Sequence, residues 1–273
     1  ILILNLIIKK PMYKIKSFKG FNWIGFYTLY KKEVKRFFNV FAQTILAPAV
    51  TTILFYVIFT LSLDRDFIIS GNYTYSEFLA PGLICMAIMQ NAFANTSSSI
   101  LISKVQGNIV DVLMPPISEL ELTFSYCLGG VTRGILIGLS VYLLINIFIP
   151  IKINSIFIVL YFAFTSSLLL SLLGILCGVW AKKFDHMASI TNFIILPLTF
   201  LSGTFYTIDR LPEFWHFLAS WNPFFYMIDG FRFGFLGQGD SNILLGCIIM
   251  FVSNLILLIS TIYIFKKGYG LRS

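Results

Sequence analysis

The side chains that break bonds or hold metals are scarce in this chain. It has two histidines, His186 and His216, and four cysteines, Cys85, Cys127, Cys177 and Cys247, each of them inside an apolar run and outside any CxxC or Cys/His spacing. A Ser/His/Asp triad or a His-rich metal site has little to be built from, and the cysteines read as small buried hydrophobes. No GxxxxGK[ST] phosphate loop, no GxGxxG and no GxSxG occurs, so nothing familiar in the sequence binds or hydrolyses ATP. The polar groups that do stand out bind by hydrogen bonds. Gln90, Asn91, Asn95 and Ser99 interrupt an apolar run, with Asn91, Asn95 and Ser99 spaced by four so that they share a helix face. Such a face must look into a bundle, a subunit interface or a wet cavity. It serves either interhelical hydrogen bonding or the lining of a transport path. Arg133, in a second apolar run, reads either as a functional intramembrane charge or as a structural one that snorkels or pairs with Glu119 or Glu121.

The elements that carry these groups are membrane spans. Hydrophobic residues make up 58% of the 273 residues, charged residues only 12%, and the mean hydropathy is +0.86, far from the soluble norm. Six spans are expected, at about 41–63, 78–102, 121–149, 156–181, 188–206 and 243–265, forming an all-α integral membrane protein in one domain over 1–273. Pro48 should kink the first span and Pro197 interrupts the fifth. Gly130, Gly134 and Gly138 recur every four residues in the third span, a small-residue face that lets another helix approach closely, and Gly174 and Gly178 repeat the spacing in the fourth.

Three segments do not cross. After a basic leader at 9–19, residues 21–38 read as an amphipathic helix lying in the headgroup plane, with Phe26, Leu29, Tyr30, Glu33, Val34, Phe37 and Phe38 recurring at helical spacing and Lys31, Lys32, Lys35 and Arg36 on the remaining surface. Residues 103–118 form a short elbow that Pro115 and Pro116 terminate. Residues 203–237, rich in aromatics and carrying Asp209, Arg210, Glu213, His216, Asp229 and Arg232, are too polar to span and too apolar for a solvated loop. The opening ILILNLII is too short to span and has no basic region before it, so it does not read as a signal peptide.

Charge settles an expected topology. Nearly half of the twenty Lys and Arg residues precede Phe37, and six crossings with a cytoplasmic N-terminus leave Arg65, Lys152, Arg210 and Arg232 outside, as the positive-inside rule asks. A crossing at 214–235 would put Lys266, Lys267 and Arg272 outside, so residues 203–237 are expected to enter and leave on the outer face as a re-entrant hairpin. The basic bias suits an anionic inner leaflet and does not point to nucleic acid.

The succession FLAPGLICMAIMQNAFANTSSSI, NIVDVLMPPIS, PLTFLSGTFYTIDRLPEFWHFLASWNPFFYMIDGFRFGFLG and the terminal GLRS resembles the ABC-2 type permeases of bacterial inner membranes, over all but the first ten or so residues. The resemblance implies a type V exporter-like permease subunit that pairs with a copy of itself and with two cytoplasmic ABC ATPase subunits, which bind the ATP and magnesium; this chain would hold no cofactor. It implies that the elbow is a coupling helix, mapping onto Gln106, Asn108, Asp111, Leu113, Met114 and Pro115, and that the lead-in helix is a connecting helix on which Glu33 touches the ATPase. It also implies that the hairpin, with Phe205, Tyr206, Pro212, Trp215, Asn222, Pro223 and Tyr226, forms an outer gate; an interfacial aromatic belt is the plainer reading of the same residues. Gln90, Asn91 and Asn95 would line the path of a drug, lipid or polysaccharide. A secondary transporter or channel, or a membrane-embedded enzyme acting on polymers or lipids, are the other classes left open.

Overall fold

The computed structural model describes residues 20–62, 68–70 and 73–270. The basic leader at 9–19, Asp64, Arg65, Asp66 and the terminal 271–273 lie outside the described residues. Among the described residues the regular elements are helices apart from a short antiparallel pair, β1 (Ile68–Ser70) and β2 (Tyr73–Thr74). Helix α1 (Trp23–Phe38) leads into six helices long and apolar enough to cross a membrane: α2 (Ala42–Ser62), α3 (Tyr75–Val105), α5 (Glu119–Phe148), α6 (Ile156–Trp180), α7 (Phe184–Leu201) and α10 (Ile243–Lys267). Helix α4 (Ile109–Leu113) joins α3 to α5, while α8 (Glu213–Ser220) and α9 (Pro223–Leu236) stand between α7 and α10.

The helix starts follow from local chemistry. Thr74 with Glu77 and Ser118 with Glu121 form capping boxes that open α3 and α5, satisfying backbone donors that a helix start leaves free. Pro115 and Pro116 follow the Met114 that caps α4, where neither can continue a helix. The fifth span ends earlier than expected: α7 stops at Leu201, and Gly203 turns the chain with φ +73°, a conformation open to glycine.

Helix α3 is the axis of the bundle and is almost wholly enclosed, packed by α5, α6 and α9. Both glycine series face it. A Cβ on Gly134 would come within 2.9 Å of the Ile88 carbonyl, one on Gly174 within 2.6 Å of the Phe93 carbonyl, and one on Gly178 within 2.9 Å of the Ser97 carbonyl. Gly130 sits against Thr96 and Ser171, and Gly138 against Ile88. The missing side chains let backbones touch, which is the means by which helices associate where lipid competes equally for apolar contact.

Candidate functional site

The polar face of α3 is met by charge from two neighbouring helices. Arg36 of α1 donates through Nη2 to the Asn95 carbonyl (2.7 Å) and to Asn95 Oδ1 (2.8 Å), and through Nη1 to Ser98 Oγ (3.3 Å). Its Nε reaches Glu33 Oε2 at 3.3 Å, and Ser99 Oγ donates to Glu33 Oε1 at 2.8 Å. One turn further along α3, Arg133 Nη2 of α5 donates to Asn91 Oδ1 at 3.1 Å. The result is a continuous polar seam, Glu33–Arg36–Asn95–Ser99 with Arg133–Asn91 beside it. Helix α1 is further tied to α5 by Tyr30 with Thr132 (3.0 Å) and by Ser125 Oγ donating to the Phe26 carbonyl (3.1 Å).

Glu33 is fully buried, its carboxylate bonded to Arg36 and Ser99. Asn95 is equally buried, turned onto Arg36, and does not border the cavity between α2, α3 and α7. Arg133 pairs with Asn91 and not with Glu119 or Glu121; Glu121 instead accepts from the Ser118 and Asn22 backbone N–H groups, at 2.8 and 2.5 Å. Helical spacing had also set Arg36 among the outward lysines. Its long stem lets the guanidinium turn inward over the apolar face, and only its position three residues after Glu33 hints at this.

Gln90 and Asn91 do border a cavity of about 440 Å³, whose walls are α2, α3 and α7. Its lining joins amides and hydroxyls, Gln43, Thr51, Thr52, Gln90, Asn91, Ser97 and Thr191, to Pro48, Phe55, Met86, Phe93, Met187 and Ile195, and includes no charged side chain. The lining is thus apolar with uncharged hydrogen-bonding groups set into it.

On the elbow, Gln106, Asn108, Asp111, Leu113, Met114 and Pro115 are all exposed, while Ile109 and Val112 of α4 turn inward. The elbow does not stand alone. Asn22 Nδ2 donates to the Pro116 carbonyl at 3.0 Å, and a notch of about 560 Å³ opens between α1 and the elbow, lined by Gly25, Thr28, Leu29 and Lys32 on one side and Asn108, Asp111, Val112, Pro115 and Ile117 on the other.

The stretch 203–237 folds as two helices. Pro212 precedes α8, whose Phe214, Trp215 and Phe217 are exposed, as is Trp221 after it. Asn222 caps α9, accepting from Phe224 N at 3.1 Å and donating to the Leu198 carbonyl (3.0 Å) and Ser202 Oγ (2.8 Å), which fastens the hairpin to the end of α7. Pro223 occupies the first turn of α9, where no N–H is needed. Tyr226 donates to the Ser220 carbonyl at 3.0 Å and Tyr206 to the Phe200 carbonyl at 3.1 Å, while the Phe205 ring lies 4.8 Å from that of Phe59 of α2. Helix α9 is deeply buried and holds two charges, Asp229 and Arg232. Asp229 accepts from Asp240 N, Ser241 N and Ser241 Oγ, clamping the loop before α10. Arg232 donates to the Gly203 carbonyl at 2.6 Å and lies 3.7 Å from the centre of the Phe78 ring. Burial pulls the Arg232 guanidinium below its ordinary pKa, with Asp229 and Asp240 pulling back.

Among the described residues, six helices are long and apolar enough to cross a membrane, and one of them, α3, is enclosed with its polar groups met from α1 and α5. Residues 25–236 match the model of the ABC-2 type transporter family, and the chain belongs to that family: it is a multi-pass membrane permease of an ABC transporter. It is 35% identical over 254 residues to the inner membrane transport permease YadH of Escherichia coli K12, an alignment that covers 92% of this chain and 98% of that protein. Nodulation protein J of Rhizobium leguminosarum bv. viciae is 23% identical over 174 residues, 63% of this chain and 67% of that protein. ABC transporter G family member 20 of Dictyostelium discoideum is 27% identical over 147 residues, 52% of this chain and 20% of that protein.

Proposed function

We propose that this chain is the permease half of an ABC exporter of a bacterial inner membrane. It pairs with a second copy of itself and with two cytoplasmic ATPase subunits, which bind the ATP and magnesium, and both of its termini are cytoplasmic. The observation that carries this reading is the uncharged, amphiphile-suited cavity between α2, α3 and α7, set beside a seam that binds α1 to α3. The ATPase seats on the exposed elbow face, Gln106, Asn108, Asp111, Leu113, Met114 and Pro115, and fills the notch beside Lys32. Glu33 acts from inside, holding Arg36 so that a push on α1 reaches α3 and the cavity wall. Closure of the ATPase pair, driven by ATP's preference for the closed dimer, then shifts the population of permease conformations. It rocks α2 and α3 against α7 of the other copy and opens a path beneath the hairpin of α8 and α9. The cargo belongs among drugs, lipids and polysaccharides.

Purification of the tagged chain from its native membrane tests this. A co-purifying polypeptide that carries a GxxxxGK[ST] phosphate loop, with ATP hydrolysis by the reconstituted complex, is the expected result. A chain that purifies alone and conducts on an ion gradient in vesicles overturns it in favour of a channel or secondary transporter.

A further inference from the structure

Two of the helices that wall the cavity are broken in the same way. In α2 the hydrogen-bond ladder slips to π spacing over Ala42–Leu46, with Ala47 N–H donating to the Ala42 carbonyl; in α7 it slips over Thr191–Ile195, with Leu196 N–H donating to the Thr191 carbonyl. Each π turn is followed, after one intervening residue, by a proline, Pro48 in α2 and Pro197 in α7. A proline has no N–H to donate, and its ring collides with the carbonyl four residues back, here that of Thr44 or Phe193. The residue added by a π turn moves that carbonyl aside. A threonine serves each break as well. Thr44 Oγ1 donates to the Phe37 carbonyl at 2.7 Å and the Val40 carbonyl at 3.0 Å, and Thr191 Oγ1 donates to the Met187 carbonyl at 2.9 Å.

Proline alone does not dictate the slip. Helix α3 carries Pro81 and remains α-helical there. What differs is the surroundings: Pro81 is buried in the enclosed axis of the bundle, whereas α2 and α7 leave broad faces uncovered by this chain. Both breaks lie against the same cavity, which Pro48 and Gln43 border on one side and Thr191 and Ile195 on the other. As the first and fifth of six crossings, α2 and α7 also begin on the same side of the membrane.

We propose that the two π–proline breaks are a matched pair of hinges, one in the first turn of α2, where it joins α1, and one behind the first two turns of α7 (Phe184–Ile190), about which these segments swing to open and close one end of the cavity. The gating role rests on the cavity's being the transport path; the hinges themselves do not. A backbone with mismatched hydrogen bonds opens locally at lower free energy than an unbroken ladder. The hinge of α2 comes four residues after the end of α1, where movement of the seam would be delivered.

Hydrogen exchange on the full chain in lipid nanodiscs, without ATPase or substrate, tests this. Peptides spanning 42–48 and 191–197 should exchange about tenfold or more faster than the peptide around Pro81, and Pro48→Ala and Pro197→Ala should each slow their own segment by a similar factor. Exchange as slow as around Pro81, or unmoved by the substitutions, overturns the proposal. Where an alanine variant fails to accumulate, spin labels at Gln43→Cys and Met187→Cys, in a chain otherwise free of cysteine, decide the matter. A broad or two-component distance distribution supports the hinges, and a single narrow one overturns them. Failure here leaves the path reading standing, since that reading depends on solvent access to Gln90 and not on the backbone's mobility.

Discussion

Helices α3 and α7 are both long and apolar enough to cross a membrane, and each carries an internal proline, yet they are built for opposite tasks. Helix α3 is enclosed by α5, α6 and α9, its carbonyls approached by glycines and its amides and hydroxyls answered by Arg36, Glu33 and Arg133. Helix α7 is largely uncovered, lacks buried charge, and breaks its ladder before Pro197. Helix α2 resembles α7 in this, down to the spacing of its own break. The contrast teaches that apolar content alone does not distinguish a fixed axis from a movable wall. The difference lies in what meets the polar and small residues.

The largest effect should come from filling the glycine face of the axis. Gly174→Leu would drive a side chain into the Phe93 carbonyl, an overpacking against backbone expected to cost on the order of 3 kcal/mol or more. Its expected outcome is loss of a monodisperse peak in detergent, whereas Ile248→Leu on the uncovered face of α10 should leave the peak unchanged. Glu33→Ala comes next. It strips a part-buried pair and leaves Arg36 and Ser99 without their acceptor, which should cost roughly 2 kcal/mol, read as a fall in Tm; Glu33→Gln, which can still accept from Ser99, should fall less. The double variant Glu33→Ala with Arg36→Ala should recover part of the loss, because no uncompensated charge is left behind. Arg133→Gln should cost about 1–2 kcal/mol by leaving Asn91 without its donor.

Smaller still in stability, and more telling for function, is Asp111→Arg. Asp111 is exposed on the elbow, so Tm should move by no more than about 0.5 kcal/mol equivalent. In the complex with its ATPase the same variant should separate ATP hydrolysis from transport; unaltered coupling would remove Asp111 from the docking face. At the hairpin, Trp215→Cys should react with an impermeant maleimide from the outer side of oriented vesicles. Labelling from the inner side would break the re-entrant topology.

The six apolar helices, the two glycine series and the short helix before Pro115 could be read from the sequence because each rests on local periodicity and on Pro and Gly punctuation. The polar face of α3 was equally legible as a pattern. Its partners were not, because Arg36 and Glu33 lie on another helix and reach it only through tertiary packing. The Asp229 clamp carries little sequence signal for a related reason: two of its donors are the backbone N–H groups of Asp240 and Ser241, and the third, the Ser241 hydroxyl, comes from the loop beyond α9. The prolines of α2 and α7 announced an interruption without saying which kind, since Pro81 shows that the same residue can sit in an unbroken helix when its neighbours hold it there.

The most direct test of a fixed axis beside an accessible cavity uses single cysteines in a chain whose native four are replaced by alanine. Gln90→Cys faces the cavity and Ser171→Cys faces the packed contact with α5 at Gly130. In membrane vesicles a small hydrophilic methanethiosulfonate should modify position 90 readily and leave position 171 unreacted. Equal protection at both positions, or modification at 171 and not at 90, would contradict the account.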